Sequence, residues 1–386
     1  MRNVCLLGAS GSIGTQSLDI IRQNPDRFCL KAVSVGRNIK RLEEILRDFP
    51  SIEHAYAISE DDIASLRGLF PNVSFLSGEE ALKEMAELDC CDMVVNALVG
   101  FAGVAPTLAS LGSGKILCLA NKESLVVAGG LVNGLLEAGK GRLYPIDSEH
   151  VAIAKLLRYA GKDNVDKVLI TASGGPFRNL SREQLKGITP ERALDHPTWH
   201  MGKKITIDSA TMMNKGFEVI EACYLFGLSP DDIEIVINPE SHVHSLVKLK
   251  DGSYLADVSS PDMHSPIAYA LFESDYPFDP MKSDSLDGYA PYHLLPFDPD
   301  RFPSVGLALS CYRRGGNMGA ALNGANEAAV YAFLDRQLPF LQIEEAVSYA
   351  CSRVDYVKDV DYEALKLTDH KAREDVRRFV SANEKR

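Results

Sequence analysis

The first third of the chain alternates short, largely apolar runs with longer amphipathic stretches. Residues Asn3–Leu7, Leu30–Val35, Ala55–Ile58, Val73–Leu76, Met93–Asn96, Ile116–Ala120 and Arg142–Ile146 read as short strands buried on both faces, the mark of a parallel sheet. The segments between them read as crossover helices, the first ending near Asn24-Pro25. Strand and helix in strict alternation predict an α/β fold with a Rossmann-like domain at the N-terminus. Past Ile146 the pattern changes. It predicts a helix over Val151–Tyr159 and strands over Val168–Thr171, Ile233–Ile237, Val243–Leu249 and Tyr254–Val258. The last two strands meet at Asp251-Gly252, a hairpin signal. Ile205-Thr206-Ile207 is strand-like, and Ser209–Glu218 reads as the start of a helix running into Val219–Phe226. Phe278–Pro303 is rich in Pro, Asp, Ser and Tyr and reads as an extended linker. Ala320–Leu334, Ile343–Tyr356 and Lys371–Asn383 are helical. The predicted organisation is a Rossmann-like, dinucleotide-binding domain over 1–147 and a central α+β catalytic domain over 148–277. A linker over 278–303 and an α-helical C-terminal domain over 304–386 complete it. No internal repeat or low-complexity segment interrupts this plan, and 386 residues suffice for two or three domains.

Composition narrows the function classes. Hydrophobic content of 46% and charged content of 24% are those of a soluble globular protein. A net charge of −12 argues against nucleic acid or an anionic membrane as the main partner, while leaving room for a small anionic substrate at a local cation. No apolar run reads as a membrane span, and Met1-Arg2-Asn3-Val4 enters a strand directly, so neither a signal nor a transit peptide is expected. The eight cysteines are scattered, with no C-x-x-C and only Cys90-Cys91 adjacent. They are expected to be reduced core residues of a cytoplasmic protein.

Candidate chemistry clusters at the turns. The first strand runs into Gly8-Ala9-Ser10-Gly11-Ser12-Ile13-Gly14, a glycine turn able to seat a pyrophosphate at the following helix N-terminus. Its G-x-x-G-x-x-G spacing is looser than G-x-G-x-x-G, but it occupies the first strand-to-helix turn, where such a motif belongs. The second strand ends in Gly36-Arg37-Asn38; an Arg there suits a ribose 2′-phosphate and favours NADPH. Asn96–Gly100 and Asn121-Lys122-Glu123-Ser124 sit past strand carboxyl ends, the edge where open α/β sheets bind ligands. Asp147-Ser148-Glu149-His150 places two carboxylates at i and i+2, pointing the same way on an extended chain. They would suit Mg²⁺ or Mn²⁺; the alternative is an acidic loop capping the next helix. Ser173-Gly174-Gly175 can offer N–H groups to an anion. On a helix Asn214, Lys215 and Glu218 share one face; the alternative is an exposed pair stabilising the helix by roughly 0.2–0.5 kcal/mol. His242 and His244 flank Val243 and are expected to be packed or exposed, for no third metal ligand lies near them in sequence.

These motifs, with Ala120–Ser124, Ser173–Phe177, His196-Pro197-x-Trp199-x-Met201-Gly202, Asp208–Glu218 and Asn323–Glu327, occur in an order that resembles the 1-deoxy-D-xylulose 5-phosphate reductoisomerase family. The resemblance runs from near the N-terminus into the C-terminal helices. It departs only where His242 replaces a commonly apolar residue and Arg37 a common Lys. It implies rearrangement of 1-deoxy-D-xylulose 5-phosphate and reduction by NADPH to 2-C-methyl-D-erythritol 4-phosphate, for isoprenoid synthesis. It further implies a divalent metal on Asp147, Glu149 and Glu218, and a substrate lysine at Lys122. Ser173, Ser209, Asn214 and Lys215 would grip the phosphate, with Ser148 and His196 also on substrate. The cofactor would lie on Ser10, Gly11, Ser12, Ile13, Gly36, Arg37, Asn38, Asn121, Glu123 and Gly202. The family's members are homodimers, so a homodimer is expected. His150 reads either as an active-site support or proton carrier, or as a structural histidine. The segment His196–Lys204, carrying Trp199, reads as a lid, or else as a static loop with its Trp in the core.

Two other functions compete. An NADPH-dependent dehydrogenase of another phosphorylated aldehyde or ketone, acting without rearrangement, would ordinarily need no metal. A non-catalytic dinucleotide sensor would need neither three carboxylates nor a phosphate grip.

Overall fold

A computed structural model of the chain describes residues 1–78, 80–199, 201–275 and 292–383, which divide into two compact units. The first comprises Met1–Ser124, Gly130–Asp147 and residues 262–275. It holds a sheet of β1 (Arg2–Leu7), β2 (Phe28–Ser34), β3 (His54–Tyr56), β4 (Ser74–Leu76), β5 (Met93–Asn96), β6 (Ile116–Leu119) and β7 (Arg142–Pro145). All pairings are parallel, in the order β4-β3-β2-β1-β5-β6-β7. The seven strands are those the apolar runs predict, with only their ends displaced. Strand order reverses between β1 and β5, so their carboxyl ends border the crevice where such sheets hold ligands. The unit's core is built from Leu6, Leu30, Val33, Met93 and Val95 of the strands, with Leu18 and Ile21 of helix Ser12–Gln23 against them. Helix His264–Leu271 adds Ile267 and Leu271 to this core, although the chain reaches it only after the whole central segment.

The second unit comprises Leu125–Gly129, Ser148–Pro261 and residues 292–383. Its sheet contains β8 (Val165–Ala172), β9 (Ile233–Ile237), β10 (Val243–Leu249), β11 (Tyr254–Val258) and β12 (Leu295–Pro296), in the order β11-β10-β8-β9-β12. Only β8 and β9 run parallel; β10 and β11 form the expected antiparallel hairpin. Helices Ser148–Ala160 and Met213–Phe226 cover the sheet, burying Ile153, Leu156, Val219 and Ala222 against Val168, Ile170 and Val247. Helices Ser304–Arg314, Met318–Leu334, Gln342–Ser352 and Tyr362–Asn383 follow, and Phe217, Leu322, Phe333, Val347 and Val376 share one core.

Several local expectations change. Ile205-Thr206-Ile207 is helical, inside Lys203–Ala210. The β-branched run is overridden because Ile207 is fully buried and Lys204 reaches Asp208, one turn on, at 2.8 Å. The helix expected from Val151 begins at Ser148. His242 precedes β10 rather than lying in it, and its Nδ1 is 2.9 Å from the Glu240 carbonyl. His244 is buried in the strand. Of the linker expected over Phe278–Pro303, residues 278–291 lie outside the described residues, as does His200; Leu295–Pro296 form β12. Among the described residues no helix is long and apolar enough to cross a membrane.

Candidate active site

The glycine turn after β1 is locked to the end of β2. The Gly8 N–H donates to the Ser34 hydroxyl at 2.9 Å and the Ala9 N–H to the Ser34 carbonyl at 2.8 Å, with Ser34 fully buried. Gly8 has φ +87°, and a Cβ on it would stand 2.6 Å from the Ala97 carbonyl oxygen. A Cβ on Gly14 would stand 2.3 Å from the Gly8 carbonyl oxygen, so only glycine lets the helix start this close to the turn. Gly11 caps helix Ser12–Gln23 without a side-chain bond, leaving its first N–H groups for an anion. Ser10, Gly11, Ser12 and Ile13 are all at least partly exposed there. Past β2, Arg37 and Asn38 are exposed, and Asn38 Oδ1 accepts the Arg41 N–H at 3.1 Å to cap the next helix. Gly36 stands between them and the strand.

The neighbouring turns are braced by buried polar side chains. Asn121 Nδ2 donates to the carbonyls of Leu98 and Gly100, each at 3.0 Å, and to Glu123 Oε2 at 3.2 Å. Asn121 and Glu123 thus come together as a support for the loop after β5. Lys122 Nζ donates to Asp147 Oδ2 at 2.7 Å, with the two side chains only 8% and 11% exposed. That bond ties the turn after β6 to the residue after β7.

The extended geometry expected for Asp147 and Glu149 does not hold. The chain is not extended here: Asp147 directly precedes the helix and Glu149 lies in its first turn, where the helix dipole favours a carboxylate. Glu149 Oε1 accepts from Lys215 Nζ at 2.9 Å, its Oε2 from the Ser148 hydroxyl at 2.6 Å, and its backbone carbonyl from the Ser245 hydroxyl at 3.1 Å. Lys215 also donates to Glu218 Oε2, and Asn214 Nδ2 to Glu218 Oε1. Met212 takes a left-handed φ of 61° at the head of helix Met213–Phe226, which projects these three side chains from one face. Lys215 and Glu218 are 4% and 1% exposed. This is no solvated surface pair. Two carboxylates sharing one ammonium leave a net negative group, and its hard oxygens fit a divalent cation such as Mg²⁺ or Mn²⁺.

Behind them, His150 Nε2 donates to the Glu218 carbonyl at 2.9 Å, and its Nδ1 lies 3.3 Å from Glu221 Oε2. Both residues are buried. Sequence reasoning did not single out Glu221, though it stands three residues after Glu218, one turn along the same helix.

A second cluster joins Ser173, His196 and Ser209. His196 Nε2 lies 3.2 Å from each serine hydroxyl, while Nδ1 accepts the N–H groups of Thr198 at 3.2 Å and Trp199 at 3.0 Å. Burial, and then the Arg178 charge, push its pKa down to about 4. The imidazole is therefore neutral near pH 7, with its proton on Nε2 facing the two hydroxyls. Gly174 and Gly175, at φ +79° and +65°, turn the chain beneath Ser173, whose hydroxyl accepts the Gly175 N–H at 3.1 Å. Asn214 bonds to Glu218, and Lys215 to Glu149 and Glu218. Trp199 is half-buried. The loop carrying it ends at Gly202, the cap of helix Lys203–Ala210, so Lys203 and Lys204 belong to that helix. Asp208, paired with Lys204, also accepts from Asn326 Nδ2 at 2.8 Å. Neither His242 nor His244 joins any group of possible metal ligands among the described residues.

Family profiles described as 1-deoxy-D-xylulose 5-phosphate reductoisomerase match residues 4–129, its C-terminal domain residues 143–226, and the DXP reductoisomerase C-terminal domain residues 258–375. The 1-deoxy-D-xylulose 5-phosphate reductoisomerase of Geobacillus kaustophilus (strain HTA426) is 45% identical over 385 residues, covering 99% of this chain and 100% of that protein. That of Listeria monocytogenes serotype 4a (strain HCC23) is 43% identical over 374 residues, covering 97% and 98%. The chain belongs to the 1-deoxy-D-xylulose 5-phosphate reductoisomerase family. A crystal structure of DOX-P reductoisomerase in complex with NADPH, fosmidomycin and magnesium superposes with a TM-score of 0.93 at 37% identity, over 100% of this chain and 99% of that one. The α/β architecture read from the strand pattern is therefore the reductoisomerase architecture.

Proposed function

We propose that the protein isomerises 1-deoxy-D-xylulose 5-phosphate and reduces the product with NADPH to 2-C-methyl-D-erythritol 4-phosphate, in isoprenoid synthesis, using a divalent cation. The observation that carries this reading beyond the family is the meeting of half-buried Glu149 and buried Glu218 on the buried Lys215. With Asp147 they would hold the cation, which when bound supplies Lewis-acid polarisation of the substrate's carbonyl and hydroxyl oxygens, as NADPH supplies hydride. Lys122, oriented by Asp147, would meet negative charge developing on substrate oxygen. Ser148 would bind substrate beside Glu149. Ser173, Ser209, Asn214 and Lys215 would grip the phosphate, with neutral His196 donating to substrate from the lid. His150, bonded to the Glu218 carbonyl, would support the carboxylate's position. The cofactor would rest on Ser10, Gly11, Ser12, Ile13, Gly36, Arg37 and Asn38, with Asn121, Glu123 and Gly202 completing its site. On this reading 1–147 bind the cofactor, 148–277 carry catalysis and 304–386 form a helical domain. The assembly is a cytoplasmic homodimer; the eight free thiols accord with a reducing compartment. Reduction without rearrangement is disfavoured by family membership. Nuclear magnetic resonance of the product decides the matter: a branched methyl-tetritol phosphate is expected, and an unbranched polyol would overturn the proposal.

Cofactor choice should follow Arg37, which stands exposed just past β2. Losing one charge-assisted contact to the 2′-phosphate costs about 1.5–3 kcal/mol, so Arg37→Asp should lower kcat/KM with NADPH roughly ten- to a hundredfold more than with NADH. Equal losses with the two cofactors would show that Arg37 does not read the phosphate.

The loop 196–202 is proposed as a lid. The rearranged aldehyde must be kept from water until hydride arrives, and half-buried Trp199, tied to His196 through its N–H, is suited to cover it. Trp199 is the only tryptophan, so its emission reports this loop. Adding a phosphonate substrate mimic with metal and NADPH should shift or quench that emission and protect the loop from protease. Trp199→Ala should lose turnover and inhibitor affinity while melting nearly as before. Emission and proteolysis that ignore a saturated site would exclude a lid.

A further inference from the structure

The N-terminal edge of the seven-stranded sheet, opposite the edge with the glycine turn, gathers ligand atoms of three kinds. Glu53 and His54 lie where the chain enters β3, and Cys90 in the turn leading to β5. A carboxylate oxygen of Glu53, a ring nitrogen of His54 and the Cys90 sulfur all lie within 4.8 Å of one another. The Cys91 sulfur is 3.8 Å from that of Cys90. Glu53 is exposed and the other two half-buried, so an ion reaches the group from solvent without opening the fold. We propose that Glu53, His54 and Cys90 form a second metal site, for a thiophilic cation of the zinc class, distinct from the carboxylate site of the reaction.

Oxygen, imidazole and thiolate together are the donors zinc accepts, and a tetrahedral ion would keep one further position for water or for Cys91. Magnesium prefers oxygen alone, so the two sites divide two metals by ligand softness. Lys31 Nζ donates to Glu53 Oε1, which fixes the carboxylate while a second oxygen remains on it. A thiol ligand loses its proton to solvent as the metal–thiolate bond forms. An ion held here joins the start of β3 to the turn before β5, elements that no sheet pairing connects directly.

The test is a Co²⁺ titration of the full chain in excess Mg²⁺, read by thiolate-to-cobalt charge-transfer absorption in the near ultraviolet. A carboxylate site gives no such band. We expect a band saturating at one equivalent, displaced by Zn²⁺, lost in Cys90→Ser and weakened or lost in His54→Ala and Glu53→Gln. Zn²⁺ should also raise the melting temperature of the wild type but not of Cys90→Ser, with NADPH-dependent turnover in Mg²⁺ unchanged in all three variants. Absence of the band, or a band that persists in Cys90→Ser, overturns the proposal. Should Cys90→Ser not fold, a band undiminished in both His54→Ala and Glu53→Gln overturns it equally.

Discussion

Glu149→Gln should lose at least ~100-fold in turnover, the upper end of what loss of a mere outer partner costs a metal site, while NADPH still binds. The substitution preserves shape and removes charge. Glu149 accepts from Lys215 and from the Ser148 hydroxyl, and its backbone carbonyl is held by Ser245. An amide fits that space, so the fold should persist, but the oxygen that would meet the cation loses its charge. The measurement is steady-state turnover across a metal titration, with NADPH affinity read separately by fluorescence of the reduced nicotinamide. Turnover near wild type at low metal would remove Glu149 from the metal site.

Lys215→Ala should show two effects at once. As a fixed ammonium on the phosphate it would act in ground and transition states alike, so its loss should raise KM and weaken phosphonate inhibitors more than it lowers kcat. The structure adds a cost in stability. Glu218 is 1% exposed and receives Lys215 and Asn214 as donors, so removing the ammonium strands a buried carboxylate. Breaking such a pair costs about 3–5 kcal/mol, and the metal-free variant should melt well below the wild type. Divalent metal, by supplying positive charge beside Glu218, should return part of the loss. An unchanged melting temperature together with unchanged KM and inhibitor affinity would contradict both roles.

Much of this arrangement is legible in local sequence because local spacing generates it. Parallel strands buried on both faces leave unbroken apolar runs, and the seven strands of the first unit are found at those runs. Asn214, Lys215 and Glu218 meet because i, i+3 and i+4 share a helix face. Other features depend on chain returns that no window contains. Helix His264–Leu271 completes the first unit's core after more than a hundred intervening residues, and its own pattern is that of any short apolar helix. Ile205–Ile207 looks like strand by residue type; burial of Ile207 and the Lys204–Asp208 pair make it helix. The i, i+2 spacing of Asp147 and Glu149 suggests a shared direction on an extended chain, but a helix starting at Ser148 sets their geometry instead. Ser34 and Glu221 carry no local signal, because a serine in a strand and a glutamate in a helix are common types. Only the partners across the fold, the Gly8 N–H and the His150 ring, give them meaning.

The proposed reaction is a metal-dependent rearrangement followed by reduction with NADPH. It is tested most directly by following NADPH absorbance with 1-deoxy-D-xylulose 5-phosphate before and after exhaustive chelation, then on adding Mg²⁺ or Mn²⁺ back. Steady oxidation should stop on chelation and return with either metal, with NADPH still bound throughout. Oxidation that continues undiminished in the chelated protein would contradict it.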